Sequence, residues 1–342
     1  MLLSILVLLG NVYIELNKSK IKHPSYNKQI KAAQLMKQSM DTISQAKIAR
    51  SMEINPELDP NQTGLIGKEF TPMTTTLGNL EAKRTSTNPD FAALLINYFH
   101  ELNLKKGDTI AIGSSGSFPG LILAVLSAAQ VMELEPLLIY SLGSSTYGAN
   151  ISNFTFLDML KVLNKKDLIT YEPIAFSLGG ANDTAAGIED KEVFMQIAEA
   201  KEYPFIYEED IPENIEVRIN HYQREASGPI QCFINTGGSA VNLGSTSSYL
   251  NLPTGLNKSL PLEILAEEKG VLFEFAKMGK PIIHLLNIRD LAQSQGIKVD
   301  PVPFPPPGES DVYYQIHYNY TLILFLLILL TIIITLIVKK YR

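Results

Sequence analysis

The sequence predicts an α/β fold: a mostly parallel open sheet with helices on both faces, flanked by an N-terminal apolar segment and a C-terminal transmembrane helix. Three observations predict it. Five short apolar runs each end in a loop of Gly, Ser, Thr or Asn, helical patterns separate those runs, and a long uncharged apolar stretch lies near the end of the chain. Strands that alternate with helices make parallel βαβ units, and in open parallel sheets ligands bind outside the carboxyl ends of the strands. The expected architecture is Rossmann-like.

The five runs and their loops are Thr109–Ile112 into Gly113-Ser-Ser-Gly-Ser117, Leu137–Tyr140 into Ser141-Leu-Gly-Ser-Ser145, Ile174–Phe176 into Ser177-Leu-Gly-Gly180, Cys232–Asn235 into Thr236-Gly-Gly-Ser239, and Ile282–Ile283 into His284-Leu-Leu-Asn287. All five loops fall on one edge of such a sheet. The expected ligand-binding groups are Ser115, Gly116, Ser117, Gly179, Gly180, Gly237, Gly238 and Asn287. They offer backbone N–H groups and hydroxyls at helix N-termini, a combination that suits an anionic ligand.

Along the chain, residues 1–16 form an apolar segment that matches a signal-peptide core or part of a signal anchor, without the basic residues that normally precede one. Either the start codon is misplaced or the segment is a marginal anchor. Residues 17–54 read as a helical stalk or packing helix, with Ala32, Ala33, Leu35, Met36 and Met40 on one modest apolar face. Residues 55–300 form the α/β domain. Pro56, Pro60, Gly64, Gly67 and Pro72 break regular structure at its start, and Asn88-Pro89-Asp90 then opens a helix over Phe91–Leu102. Further helices fit Pro119–Glu133, Phe156–Asn164, Glu189–Ala200, Pro212–Glu225, Pro261–Met278 and Ile288–Gln295, which suits five or six strands.

Residues 301–318, with Pro301-Val-Pro-Phe-Pro-Pro-Pro307, read as a stiff extended spacer. Residues 319–339 form the expected transmembrane helix, whose core Tyr320–Val338 is uncharged, and 340–342 a basic tail. The expectation is a cell-membrane protein that touches the lipid bilayer. The C-terminal charges place the domain outside the cytoplasm, whereas Lys18, Lys20 and Lys22 place it inside, and the longer segment favours outside.

A net charge of −6 and the absence of a basic, aromatic-rich stretch argue against nucleic-acid binding. The single cysteine, Cys232, lies in a strand and reads as a small core residue. His23, His100, His221 and His317 show no metal-ligand spacing, so no metal is expected. The loop after the first strand matches neither Walker A nor the dinucleotide fingerprint, and the sequence names no cofactor. Ser117, Asp183 and His284 occur in the chain order of α/β-hydrolases and are the candidate catalytic residues, although the loop lacks the nucleophile-elbow pattern. Asp158 and Asp290 are the other carboxylates near strand ends. Lys83 and Arg84, just before Asn88, are candidates for binding a carboxylate.

Taken together, Pro60-Asn-Gln-Thr-Gly-Leu-Ile-Gly67, Glu69–Gly78, Leu80–Ala93, Ser115-Gly-Ser-Phe-Pro-Gly120, Tyr147-Gly-Ala-Asn150 and His284-Leu-Leu-Asn-Ile288 resemble the poly-gamma-glutamate system protein family over roughly residues 55–305. The resemblance implies a role beside the amide ligase and membrane subunits that make and export the polymer. It transfers no catalytic mechanism. Three roles stay open: an accessory protein binding an anionic ligand or polymer, a hydrolase or transferase acting on the polymer or a phosphorylated precursor, and a scaffold for the ligase complex.

Overall fold

The computed structural model describes residues 2–185, 191–199, 202–238, 240–244, 252–261 and 270–341, with only the backbone at some helical positions. The chain divides into two units, one formed by its ends, up to Tyr26 and from Tyr313, and one spanning Asn27–Val312. With elements numbered in chain order, the first unit holds helix α1 (Leu2–Leu16), strand β1 (Ser19–Lys22), strand β11 (Tyr314–His317) and helix α12 (Tyr320–Tyr341). β1 and β11 pair antiparallel, Ser19 opposite His317 and Lys22 opposite Tyr314. That ribbon brings α1 and α12 side by side around an apolar cavity of about 660 Å³ that none of the expected site residues lines.

Among the described residues no helix is long and apolar enough to cross a membrane. This corrects the expected transmembrane helix at 319–339. A helix does form there, α12 over Tyr320–Tyr341. Membrane localisation is not supported by the helices of this structure, and the orientation argument built on it lapses.

The second unit holds α2 (Tyr26–Ala49), β2 (Thr74–Thr76), α3 (Leu80–Ser86), α4 (Asp90–Glu101), β3 (Thr109–Ser115), α5 (Pro119–Met132), β4 (Glu135–Ser141), β5 (Ser144–Ser145), α6 (Phe156–Asn164) and β6 (Pro173–Ser177). It continues through α7 (Lys191–Glu199), β7 (Phe205–Ile206), α8 (Ile211–Glu225), β8 (Ile230–Asn235), α9 (Ala240–Leu243), β9 (Gly255–Asn257), α10 (Val271–Lys277), β10 (Ile282–His284) and α11 (Ile288–Ser294). The five expected strands are β3, β4, β6, β8 and β10. Of the expected helix Pro261–Met278, residues 262–269 lie outside the described residues, as do 189–190 and 200 of Glu189–Ala200.

Among the described residues seven strands make one sheet in the order β7-β6-β4-β3-β8-β10-β9. All pairs are parallel except β9 against β10. The central strands read as continuous apolar runs because both their faces are covered. Ile110, Ile112, Leu138 and Tyr140 are buried on one face, and Ala111, Leu137, Ile139 and Phe233 on the other. The second set joins Ile215, Ile219 and Tyr222 of α8 and Phe273 and Phe275 of α10 in one core cluster.

Connection handedness explains the two faces. β3, β4, β6 and β7 follow one another toward one edge, so right-handed crossovers put α5 and α6 on the first face. The chain then returns through α8 to β8 on the far side of β3 and goes on to β10, which puts α8 and α10 on the second face. The expected spacer at 301–318 is not free-standing: Asn61 Nδ2 donates to the Pro301 carbonyl at 2.8 Å, Ser310 Oγ to Asp90 at 2.5 Å, and Gln29 Nε2 to the Val312 carbonyl at 2.8 Å. The segment 301–312 packs on the α/β unit.

Candidate functional site

Strand order reverses between β3 and β8, so the crevice outside their carboxyl ends is the topological switch point of the sheet. The loop after β3 meets the loop after β8 there. Thr236 N donates to the Gly113 carbonyl at 3.0 Å, and a Cβ added to Gly237 would lie 3.3 Å from Ser115 Oγ. Gly237 and Gly238 have φ values of 123° and 146°, which L side chains rarely adopt.

A third segment closes over the loops after β3 and β4. β2 pairs with β5, Thr74 beside Ser144 and Thr76 beside Ser145, and Gly78 N donates to Thr146 Oγ1 at 2.7 Å. The chain then turns into α3, whose N-cap Asn79 accepts from Ala82 N at 2.9 Å. Its second turn points Lys83 inward. Lys83 is 1% exposed, donates from Nζ to the Ser117 carbonyl and to Ser145 Oγ at 2.6 Å, and sits 4.0 Å from the centroid of the Phe118 ring. No described carboxylate pairs with it. Burial pushes its ammonium down to about 7.

Ser117 Oγ accepts from Ser145 N at 3.1 Å, and Ser115 Oγ accepts from Ser117 N at 3.3 Å. Gly116 and Gly148 make this contact feasible. A Cβ on Gly116 would lie 3.0 Å from Ser144 Cβ, the Leu142 carbonyl and Tyr140 Oη, and one on Gly148 would run into the Gly116 carbonyl. Lys83, Ser115, Gly116 and Ser117 are thus brought together as expected binding groups. Ser145, from the Ser141–Ser145 loop, joins them.

Arg84 is not part of this group. It forms an ion pair with Asp300, its Nε donating to Asp300 Oδ1 at 2.8 Å, and fastens α3 to the end of the domain. The catalytic candidates Ser117, Asp183 and His284 are not assembled into a triad. Asp183 is fully buried in an ion pair with Arg218, and its Oδ1 accepts from Ser141 Oγ at 3.1 Å, Ser177 Oγ at 2.9 Å and Gly179 N at 3.0 Å. His284 Nδ1 lies 3.3 Å from Asn235 Nδ2, and burial pushes its imidazole down to about 4. Asp183 follows β6 and His284 ends β10, four strands away, or about 19 Å at about 4.8 Å per strand. The physical reason is topological: chain order says nothing about which strands become neighbours.

Gly179 and Gly180, with φ values of 79° and 74°, wrap the loop around the Asp183 carboxylate. Asn287, at the N-cap of α11, is exposed, has φ 57°, and donates from Nδ2 to the Asp290 carboxylate at 2.6 Å. Asp158 accepts from Thr155 N and Oγ1 at 2.8 and 2.7 Å in a capping box. Among the described residues no group of His, Cys, Asp or Glu could hold a metal ion. Cys232 is buried and its thiol pushed up to about 12, as suits a core residue. Ser239 lies outside the described residues.

Two residues that organise the strand-end loops carry no motif of their own in the sequence. Ser145 stood in one of the five recognised loops but had no motif to single it out. Arg218 had a clearer signal, because it falls on the apolar face of α8 between Ile215, Ile219 and Tyr222, and all four are buried. Its Nε donates to Asn214 Oδ1 at 2.9 Å and Nη2 to Ser177 Oγ at 2.6 Å.

No family model, curated protein or solved structure matches this chain.

Proposed function

We propose that this chain is an accessory component of poly-γ-glutamate synthesis and export, working beside the amide ligase and membrane subunits, and that its α/β unit takes the carboxylate-rich polymer at the switch-point crevice. The observation that carries the binding role is Lys83: a buried cation with no described acidic partner, set among serine hydroxyls and glycine-rich turns outside the carboxyl ends of β3 and β4. A carboxylate supplied by a ligand balances that charge. The protein is acidic overall, so the attraction is local.

The pathway rests on the sequence resemblance, and its segments are consistent with one site. Lys83 from Leu80–Ala93, Ser117 from Ser115–Gly120, and Gly148 and Ala149 from Tyr147–Asn150 are far apart in sequence yet adjoin in space, with Ala149 N donating to the Gly116 carbonyl at 2.7 Å. Equilibrium titration with γ-linked glutamate oligomers tests the reading. Lys83→Met should weaken binding roughly tenfold to a hundredfold, the worth of a hydrogen bond to a charged group, whereas Arg84→Met, which breaks the pair with Asp300 and the bond to the Glu57 carbonyl, should leave it unchanged. Equal affinities for all three proteins would overturn it.

A further inference from the structure

We infer that Lys83 and Ser145 form a general base and nucleophile for amide-bond hydrolysis at the crevice, with γ-linked glutamyl amides as the substrate class. The substrate class rests on the reading above, and the base–nucleophile pair stands on its own geometry. Ser145 Oγ lies 2.6 Å from Lys83 Nζ, within the reach that proton transfer needs. A neutral amine has two N–H groups and one lone pair, and three neighbours await them: the Ser117 carbonyl, the face of Phe118 and the Ser145 hydroxyl. Desolvation without a carboxylate neighbour brings its ammonium down to about 7, so the neutral amine is populated from neutral pH upward, which is how buried lysines become bases.

Gly78 is half-buried, and a Cβ there would lie 2.9 Å from the Thr146 carbonyl and 3.0 Å from both Lys83 Cε and Ser145 Oγ, so glycine is what lets the backbone pass this close to the pair. In the reaction, Lys83 Nζ takes the Ser145 Oγ proton as Oγ attacks the amide carbonyl. The C–N bond breaks, the ammonium returns the proton to the departing nitrogen, and an ester remains on Ser145. Water then attacks that ester, giving its proton to the same amine, which passes it back to Ser145 Oγ as the carboxyl product leaves.

The full chain, treated with a fluorophosphonate probe and mapped by mass spectrometry, tests the pair without requiring the substrate. The expected adduct is on Ser145, forming faster as pH rises through about 7 and roughly a hundredfold slower in Lys83→Met, the usual share of a general base. Thermal melts of the variant separate loss of the base from loss of fold, and the pH profile of the unaltered chain needs no variant. Absence of a Ser145 adduct, or a rate that ignores pH, in protein that binds the oligomer would overturn the inference and leave the binding reading standing. A pH-dependent adduct in protein that does not bind the oligomer would uphold the pair and remove the glutamyl substrate.

Discussion

Lys83 and Arg218 are both cations withdrawn from water, and they are handled differently. Arg218 is matched by Asp183 and by the oxygens of Asn214 and Ser177, so its charge is part of the fold. Removing one partner of such a pair leaves the other buried and uncompensated, which costs about 3–5 kcal/mol. Arg218→Met should lower unfolding stability by about that amount in urea titrations, whereas Arg84→Met, at a partly exposed pair, should cost about 1 kcal/mol or less. His284 gives a pH signature. Its folded-state value, about 4, is below the ordinary 6.5, so between those values the unfolded chain binds more protons and stability rises with pH. The contribution is complete above 6.5 and is lost as pH falls toward 4. His284→Gln should flatten that part of a stability profile followed by thermal melts.

At the level of elements, the crevice depends on glycines that allow backbones to meet. Gly120, in the first turn of α5, lies against the end of α3: an added Cβ would stand 2.5 Å from the Ser86 carbonyl and 3.1 Å from Thr87 Cα. Gly120→Ala should force α5 and α3 apart, cost about 1–3 kcal/mol as overpacking does, and weaken oligomer binding by shifting Lys83. Gly107→Ala, with nothing within 4 Å but φ 84°, should show only the local backbone strain and unchanged binding.

These elements were legible to very different degrees. β3, β4 and β8 announce themselves because strands covered on both faces must be apolar throughout. β7, two residues long, and the antiparallel edge strand β9, Gly255–Asn257, carry too little apolar sequence to do so. In the site, the glycine and serine loops were legible as strand-end turns, and Lys83 as a cation near them. Its burial was not legible, because it depends on β2 pairing with β5 across 68 residues between Gly78 and Thr146.

For the whole molecule, the decisive feature is the reversal of strand order between β3 and β8, which gathers the loops of distant segments at one crevice. The same topology separates Asp183 from His284, so a triad argued from chain order has no spatial counterpart. At the C-terminus the finding differs from the expectation: among the described residues no helix is long and apolar enough to cross a membrane. The crevice is proposed to bind a carboxylate-rich chain through protonated Lys83. Because Lys83 loses its proton near pH 7, affinity and nucleophilicity should run in opposite directions with pH. The most direct measurement is calorimetric titration of the unaltered protein with a γ-linked glutamate oligomer at pH 6 and pH 9. Binding at pH 6 should weaken roughly tenfold to a hundredfold at pH 9, and affinity that is the same at both values, or absent at both, would contradict this role for Lys83.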